Sequence, residues 1–365
     1  MKTEIRHAAG SLLVVGLSGT ELTAMESAWL KLVRPAGVIL FRRNIEDAAQ
    51  TRALLRAATA LCTNNALRCV DVEGGTVDRL RDALASLPSA QAVATAARHT
   101  GKTKLMHEHG ELVARAVKAF GFSTTLAPVL DLALPASFNV MGTRAAAATA
   151  EGVVDYARNF LAGLATQRVV GCGKHFPGLG AGTVDSHAET PSIDRSLREL
   201  KREDLVPYRE LRKLLPMVMV NHAAYPATPS KQSPATASSY WVKTVLRKQI
   251  GYRGLAFSDD MEMGGILKFL PIEEAAVATI RAGMDLVEIC HSAELILRAY
   301  EALIREGEHS RTFRALLLAR AKRTARLRAS LFQDKLSATP TALKLDALRT
   351  RIVRFSETIH NSEPS

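Results

Sequence analysis

The chain has 365 residues, 47% hydrophobic and 23% charged, a composition that suits a folded globular protein and excludes a disordered one. Lys and Arg number 48 against 36 Asp and Glu, a formal charge of +12, which raises nucleic acid or a membrane surface as partners to be tested. Four cysteines are too few for a disulfide scaffold, aromatics at 5% are too sparse for a base-stacking surface, and no apolar run is long enough to span a bilayer.

Taken in chain order, the start is polar, and its short apolar run is interrupted by Gly10. No secretory leader is expected, and a cytoplasmic protein is the default. Short runs rich in Val, Ile and Leu follow at 12–17, 37–41, 67–72, 125–130, 169–174, 217–220, 254–258 and 284–290. Apolar runs of this length without polar alternation suit strands buried on both faces. Helical spacing fills 24–33, 47–61, 111–120, 152–165, 240–249 and 273–281. Strand and helix in alternation imply an α/β protein with a parallel sheet, and eight strands imply a (β/α)8 TIM barrel. A doubly wound sheet is the competing fold, but Val15-Gly-Leu-Ser-Gly-Thr20 lacks the glycine spacing of a dinucleotide site. The barrel is assigned to residues 1–300. Residues 301–365 are assigned to a C-terminal helical extension packed on the barrel, with helices read over 298–331 and 341–358 and joined by the breaker Ala338-Thr-Pro340. The cysteines read as reduced thiols, most of them in the core.

In a barrel, catalytic groups project from the C-terminal ends of the strands, and polar residues gather there. The third strand ends in Asp71-Val-Glu73-Gly-Gly75, and the fourth in Asp131, followed by Asn139 and Arg144. The fifth ends in Lys174-His175, with Asp185-Ser-His187 in its Gly-rich loop. The sixth ends in Asn221-His222, the seventh in Ser258-Asp259-Asp260, and the eighth near Glu288 and His291. Asp259 at a strand tip suits a nucleophile, a metal ligand or a ligand anchor, while Asp260 suits a helix N-cap. Asp71 and Glu73, two apart, share a strand face; a tight turn with a structural carboxylate explains them as well. Asp185 can orient His187 for proton transfer. No metal-ligand spacing is present, so no metal or other cofactor is expected.

These motifs, in the order Gly37-Val-Ile-Leu-Phe-Arg-Arg-Asn-Ile45, Asp71-Val-Glu-Gly-Gly75 with Arg79, Leu126-Ala-Pro-Val-Leu-Asp131, Lys174-His-Phe-Pro-Gly178, Asp185-Ser-His187 and Phe257-Ser-Asp-Asp-Met261, resemble the family 3 glycoside hydrolases. They are most similar to the family's single-domain bacterial β-N-acetylglucosaminidase branch. The resemblance covers about residues 10–300 and implies a TIM barrel. It implies a retaining β-N-acetylhexosaminidase acting on GlcNAc-containing muropeptide fragments of peptidoglycan. Asp259 would be the nucleophile, His187 the acid/base and Asp185 its partner. Asp71, Arg79, Arg144, Lys174, His175 and His222 would contact the sugar.

The chain departs from the family pattern at Val72, Thr76, Leu179, Ala181 and Asn221, where the family carries other residues. A β-glucosidase or phosphorylase of the same family, or a non-catalytic sugar-binding barrel, is the alternative reading. The basic residues from Arg311 to Arg328, interleaved with leucines, suggest an amphipathic helix with a solvated basic outer face. No nucleic-acid motif accompanies them, so neither nucleic acid nor a membrane is expected as partner, and the protein is expected to be a monomer.

Overall fold

The computed structural model describes residues 2–182, 191–333, 336 and 338–362. Eight parallel strands form a closed barrel: β1 (Leu13–Gly16), β2 (Gly37–Leu40), β3 (Leu67–Val70), β4 (Thr124–Thr125), β5 (Val170–Phe176), β6 (Met217–Val220), β7 (Leu255–Asp260) and β8 (Leu286–Ile289). Each strand overlaps one of the eight apolar runs. Leu13 pairs with Val287, and that register closes the ring between β1 and β8. The lumen is filled by side chains such as Val14, Leu67, Cys172, Met217, Leu255 and Leu286, while the outer face of the barrel packs on helices. All four cysteines are free and buried.

The helix at Ala24–Val33 has the predicted bounds. Its start is set by Thr23, whose Oγ1 accepts the Glu26 N–H while Glu26 accepts the Thr23 N–H, a reciprocal capping box. The segment predicted as helix at 240–249 is wound as a π-helix, Tyr240–Gln249. The helix predicted at 111–120 is the latter part of a longer one, Lys104–Ala119. Gly110 interrupts its apolar pattern for a packing reason. A Cβ there would lie 2.1 Å from the Phe160 carbonyl oxygen of the helix Ala150–Ala165. Gly163 on that helix makes the reciprocal approach, 2.2 Å from the His107 carbonyl. Among the described residues no helix is long and apolar enough to cross a membrane.

After β8 come the helices Ala293–His309, Arg311–Leu331 and Ala342–His360. The expected solvated basic face on the second of these is corrected by the structure. Arg311, Lys322 and Arg326 are exposed, but Arg320, Arg323 and Arg328 turn toward the N-terminal end of the barrel. Arg320 and Arg323 reach Asp285 Oδ1 at 3.3 and 3.1 Å. Arg328, 2% exposed, donates to the Ala36 carbonyl and to Thr63 Oγ1 at 2.9 and 2.8 Å. Phe332 joins the lumen core. Buried guanidiniums need acceptors, and the strand starts supply them, so this helix closes the barrel floor.

Candidate active site

At the C-terminal end of the strands lies a cavity of about 560 Å³, a size suited to a small-molecule site. Asp71, Arg79, Arg144, Lys174, His175 and Asp259, six of the residues singled out from the sequence, line it together. The chain after β3 turns into a short antiparallel hairpin, Val72–Gly74 with Val77–Asp78, which carries Glu73 back toward β5. There Lys174 Nζ contacts Asp71 Oδ1 at 2.9 Å and Glu73 Oε1 at 2.6 Å. Arg144 clamps Glu73 through two bonds, Nε to Oε2 at 2.9 Å and Nη2 to Oε1 at 2.8 Å, the bidentate form that fixes both partners. Burial alone would raise the Glu73 carboxyl, but the Arg144 and Lys174 charges outweigh it and hold it at about 2. Lys174 is likewise pushed up by Asp71 and Glu73, against the effect of burial. It remains a cation with donor capacity beyond these two bonds.

His175 is fixed from behind. Its Nδ1–H donates to Asp131 Oδ2 at 2.6 Å, and its backbone N–H reaches the same oxygen at 3.1 Å. Asp131 Oδ1 accepts the Leu179 N–H at 2.7 Å, so one buried carboxylate orients the imidazole and anchors the loop after β5. His175 Nε2 lies 3.4 Å from Arg144 Nη2. Leu179 is 5% exposed and lines the cavity, so this departure places an apolar surface in the site. Thr76 is exposed and outside the cavity wall.

Asp259 owes its position to a bulge. Leu286 faces Phe257 but Glu288 faces Asp260, so β7 holds one more residue than β8 over this stretch. Such bulges re-aim side chains near sites, and here both Asp259 and Asp260 line the cavity. Burial pushes the Asp259 carboxyl up. The imidazoles of His175 and His222 and the Lys174 ammonium outweigh that, and the group sits below its usual range. His222 itself is held down by burial. Asp260, expected as a helix N-cap, instead accepts the Glu262 N–H in the turn and faces His291 Nε2 at 3.4 Å. The helix that follows, Gly264–Leu267, has Met263 at its N-cap.

One expected sugar contact is placed differently from the rest. His222 is fully buried and outside the cavity wall. Its Nε2–H donates to the Asp260 carbonyl at 3.0 Å, and Nδ1 lies 2.7 Å from Thr236 Oγ1. Arg79 sits on the wall, 3.8 Å from Asp71 Oδ2 and over the Phe41 ring. Asp185 and His187 lie outside the described residues. Sequence reasoning noted Glu73, Asp131 and Glu288 as strand-end acids but gave them no place in the site. Their position directly after apolar runs was the available signal. Arg43, part of the first motif but given no role there, lines the cavity, donates to the Cys290 carbonyl at 2.6 Å and faces His291. Among the described residues no cluster of His, Cys, Asp and Glu is arranged to hold a metal ion.

The model of the glycosyl hydrolase family 3 N-terminal domain matches residues 5–327. A protein named β-hexosaminidase from Alkalilimnicola ehrlichii is 39% identical over 287 residues, 78% of this chain and 82% of its own. Among solved structures, a glycoside hydrolase family 3 β-N-acetylglucosaminidase from Paenibacillus sp. superposes with a TM-score of 0.86 at 28% identity, over 97% of this chain and 68% of its own. NagZ from Neisseria gonorrhoeae in complex with N-trifluoroacetyl-D-glucosamine superposes with a TM-score of 0.72 at 30% identity, over 86% and 98%.

Proposed function

The chain belongs to glycosyl hydrolase family 3, and on that premise we propose that it is a retaining β-N-acetylhexosaminidase that removes terminal β-linked N-acetylglucosamine from peptidoglycan-derived fragments. The observation that carries this reading is Asp259, a half-buried carboxylate held in its ionised form on the wall of a polar cavity at the C-terminal mouth of the barrel. An Asp259 oxygen attacks the anomeric carbon as the aglycone oxygen departs with a proton, leaving a glycosyl ester. Water then attacks the same carbon, loses its proton to the group that gave up the first, and frees the carboxylate.

The proton carrier in this reading is His187, oriented by Asp185. Its support is the motif Asp185-Ser-His187 on the loop that follows Lys174-His175. A histidine in this task does not add a second carboxylate next to the nucleophile. Lys174 and Arg144, with donors left over from their bonds to Asp71 and Glu73, suit sugar hydroxyls or the acetamido group. The acetamido specificity is supported by the names of the relatives and structural neighbours.

The test is release of nitrophenol from the aryl β-N-acetylglucosaminide, set against the aryl β-glucoside. Turnover of the first and its loss in Asp259→Asn are expected. A preference for the glucoside overturns the substrate but keeps the mechanism. Leu179 in the cavity wall favours a second reading, a sugar-binding barrel without turnover, which predicts ligand binding and no product. A slow 2-fluoro sugar followed by mass spectrometry should place the label on Asp259.

A further inference from the structure

Glu288 is an acid in the cavity wall to which the proposed reaction gives no task. It lies on β8 between Leu286 and Cys290, both in the lumen core. It is 2% exposed, yet it lines the cavity with Asp71, Asp259 and Asp260. Its backbone is tied down, the N–H donating to Ser258 Oγ at 2.9 Å and the carbonyl accepting the Met261 N–H at 2.9 Å. The side chain is not: Oε1 is shielded from solvent and has no hydrogen-bond partner among the described residues. Native interiors leave few polar atoms in that state, and each one asks for a use.

The surroundings exclude a salt bridge. The cation nearest in effect is Lys174, which is engaged by Asp71 and Glu73, and Asp260 faces His291. Burial, and then the charges of Asp260, Asp71 and Asp259, drive the Glu288 carboxyl well above the ordinary glutamate range. A carboxylic acid that keeps its proton is both a donor and an acceptor. The cavity wall also carries the apolar side chains of Ile39, Leu126 and Met219, and an unmet polar atom in such a wall defines one directional contact.

We propose that Glu288 is a specificity-determining residue of the cavity, its carboxyl group donating a hydrogen bond to one ring hydroxyl of the sugar that faces Asp259. The inference rests on the sugar pocket proposed above. A site built to hydrogen-bond a hydroxyl discriminates strongly against an analogue lacking it, because the buried group is then left unpaired.

The experiment is calorimetric binding of N-acetylglucosamine and its 3-, 4- and 6-deoxy analogues to the full chain and to E288Q and E288L. The amide of E288Q keeps a neutral donor, and its affinity for the parent sugar should stay within about threefold of wild type. E288L should bind the parent sugar at least about tenfold more weakly. For one deoxy analogue, and one only, E288L and wild type should bind alike. A packing role cannot produce that selective equality. E288L folding is followed by its melting temperature, and E288M replaces it if it does not fold. Undiminished binding of the parent sugar by E288L overturns the proposal. So does weakening of equal size across all four ligands, or an E288Q as weak as E288L. A wild-type protein that binds neither N-acetylglucosamine nor glucose overturns the pocket reading and this inference together.

Discussion

At the C-terminal mouth of the barrel, Lys174 and Arg144 are shared among Asp71, Glu73 and the His175–Asp131 pair around a cavity. At the N-terminal mouth a single acid, Asp285, fully buried, is held by Arg247 at 2.5 Å and by Arg320 and Arg323. At the first mouth Asp259 and Glu288 have no ion-pair partner among the described residues. At the second, three arginines share Asp285, and further donors of Arg323 go to backbone carbonyls of residues 253 and 254. Unmet bonding capacity beside a cavity is available to a ligand. Capacity satisfied by strand starts and a covering helix stabilises the fold. The same residue types therefore line a cavity at one end and close the barrel at the other.

The sharpest way to break that division is to neutralise one acid at each end. Asp259→Asn should lower kcat on the aryl glycoside by about a thousandfold or more and leave the melting temperature close to wild type. A variant that keeps a tenth of the activity would show that the reacting group lies elsewhere. Asp285→Ala strands three guanidiniums and should cost about 3–5 kcal/mol in urea denaturation, while kcat measured well below the melting temperature stays unchanged. An equal fall in kcat would mean that the two ends are coupled.

Glu73 tests whether the upper network also supports the fold. Its folded carboxyl lies at about 2, below the ordinary glutamate value of about 4.3. A depressed acid contributes stability that is fully present above the unfolded value and is lost as pH falls toward the folded one. That contribution is on the order of 3 kcal/mol. Between pH 7 and pH 3 the wild type should therefore lose stability faster than Glu73→Gln, read as urea midpoints at each pH; parallel curves would remove Glu73 from the account. The smallest effect is on the acid limb of kcat/KM. With Asp259 held below its usual range, the limb should fall below about pH 3.9. A limb centred above about pH 5 would assign it to another group.

The strands were legible because burial on both faces writes each as an unbroken apolar run, as at Met217–Val220. Helices were legible where a cap and a clear stripe coincide, as at Ala24–Val33. They blurred where close approach demanded glycine in mid-helix, as at Gly110. The alanine-rich helix Ala90–Thr100 gave too little contrast to be read. Strand ends located Asp71, Lys174, His175 and Asp259, because barrel topology converts position in sequence into position around one rim. Which acid holds which base was not legible. His175 and Asp131 are 44 residues apart, and Arg323 and Asp285 are 38 apart. The arginines of the helix Arg311–Leu331 read as solvated for that reason: a sequence displays a cation without its distant acceptor.

The closure at Arg328 bears on how the chain is made. Its guanidinium bonds the carbonyl of Ala36, 292 residues earlier, and β1, the first strand to be synthesised, pairs with β8. During translation the early strands therefore leave the ribosome with one edge unsatisfied and the lumen unplugged. They stay so until most of the chain has emerged, a window in which exposed edges invite pairing with other nascent chains. Contacts of such long range also slow folding. The helix that seals the floor is thus needed before the edges and lumen of the barrel are fully covered.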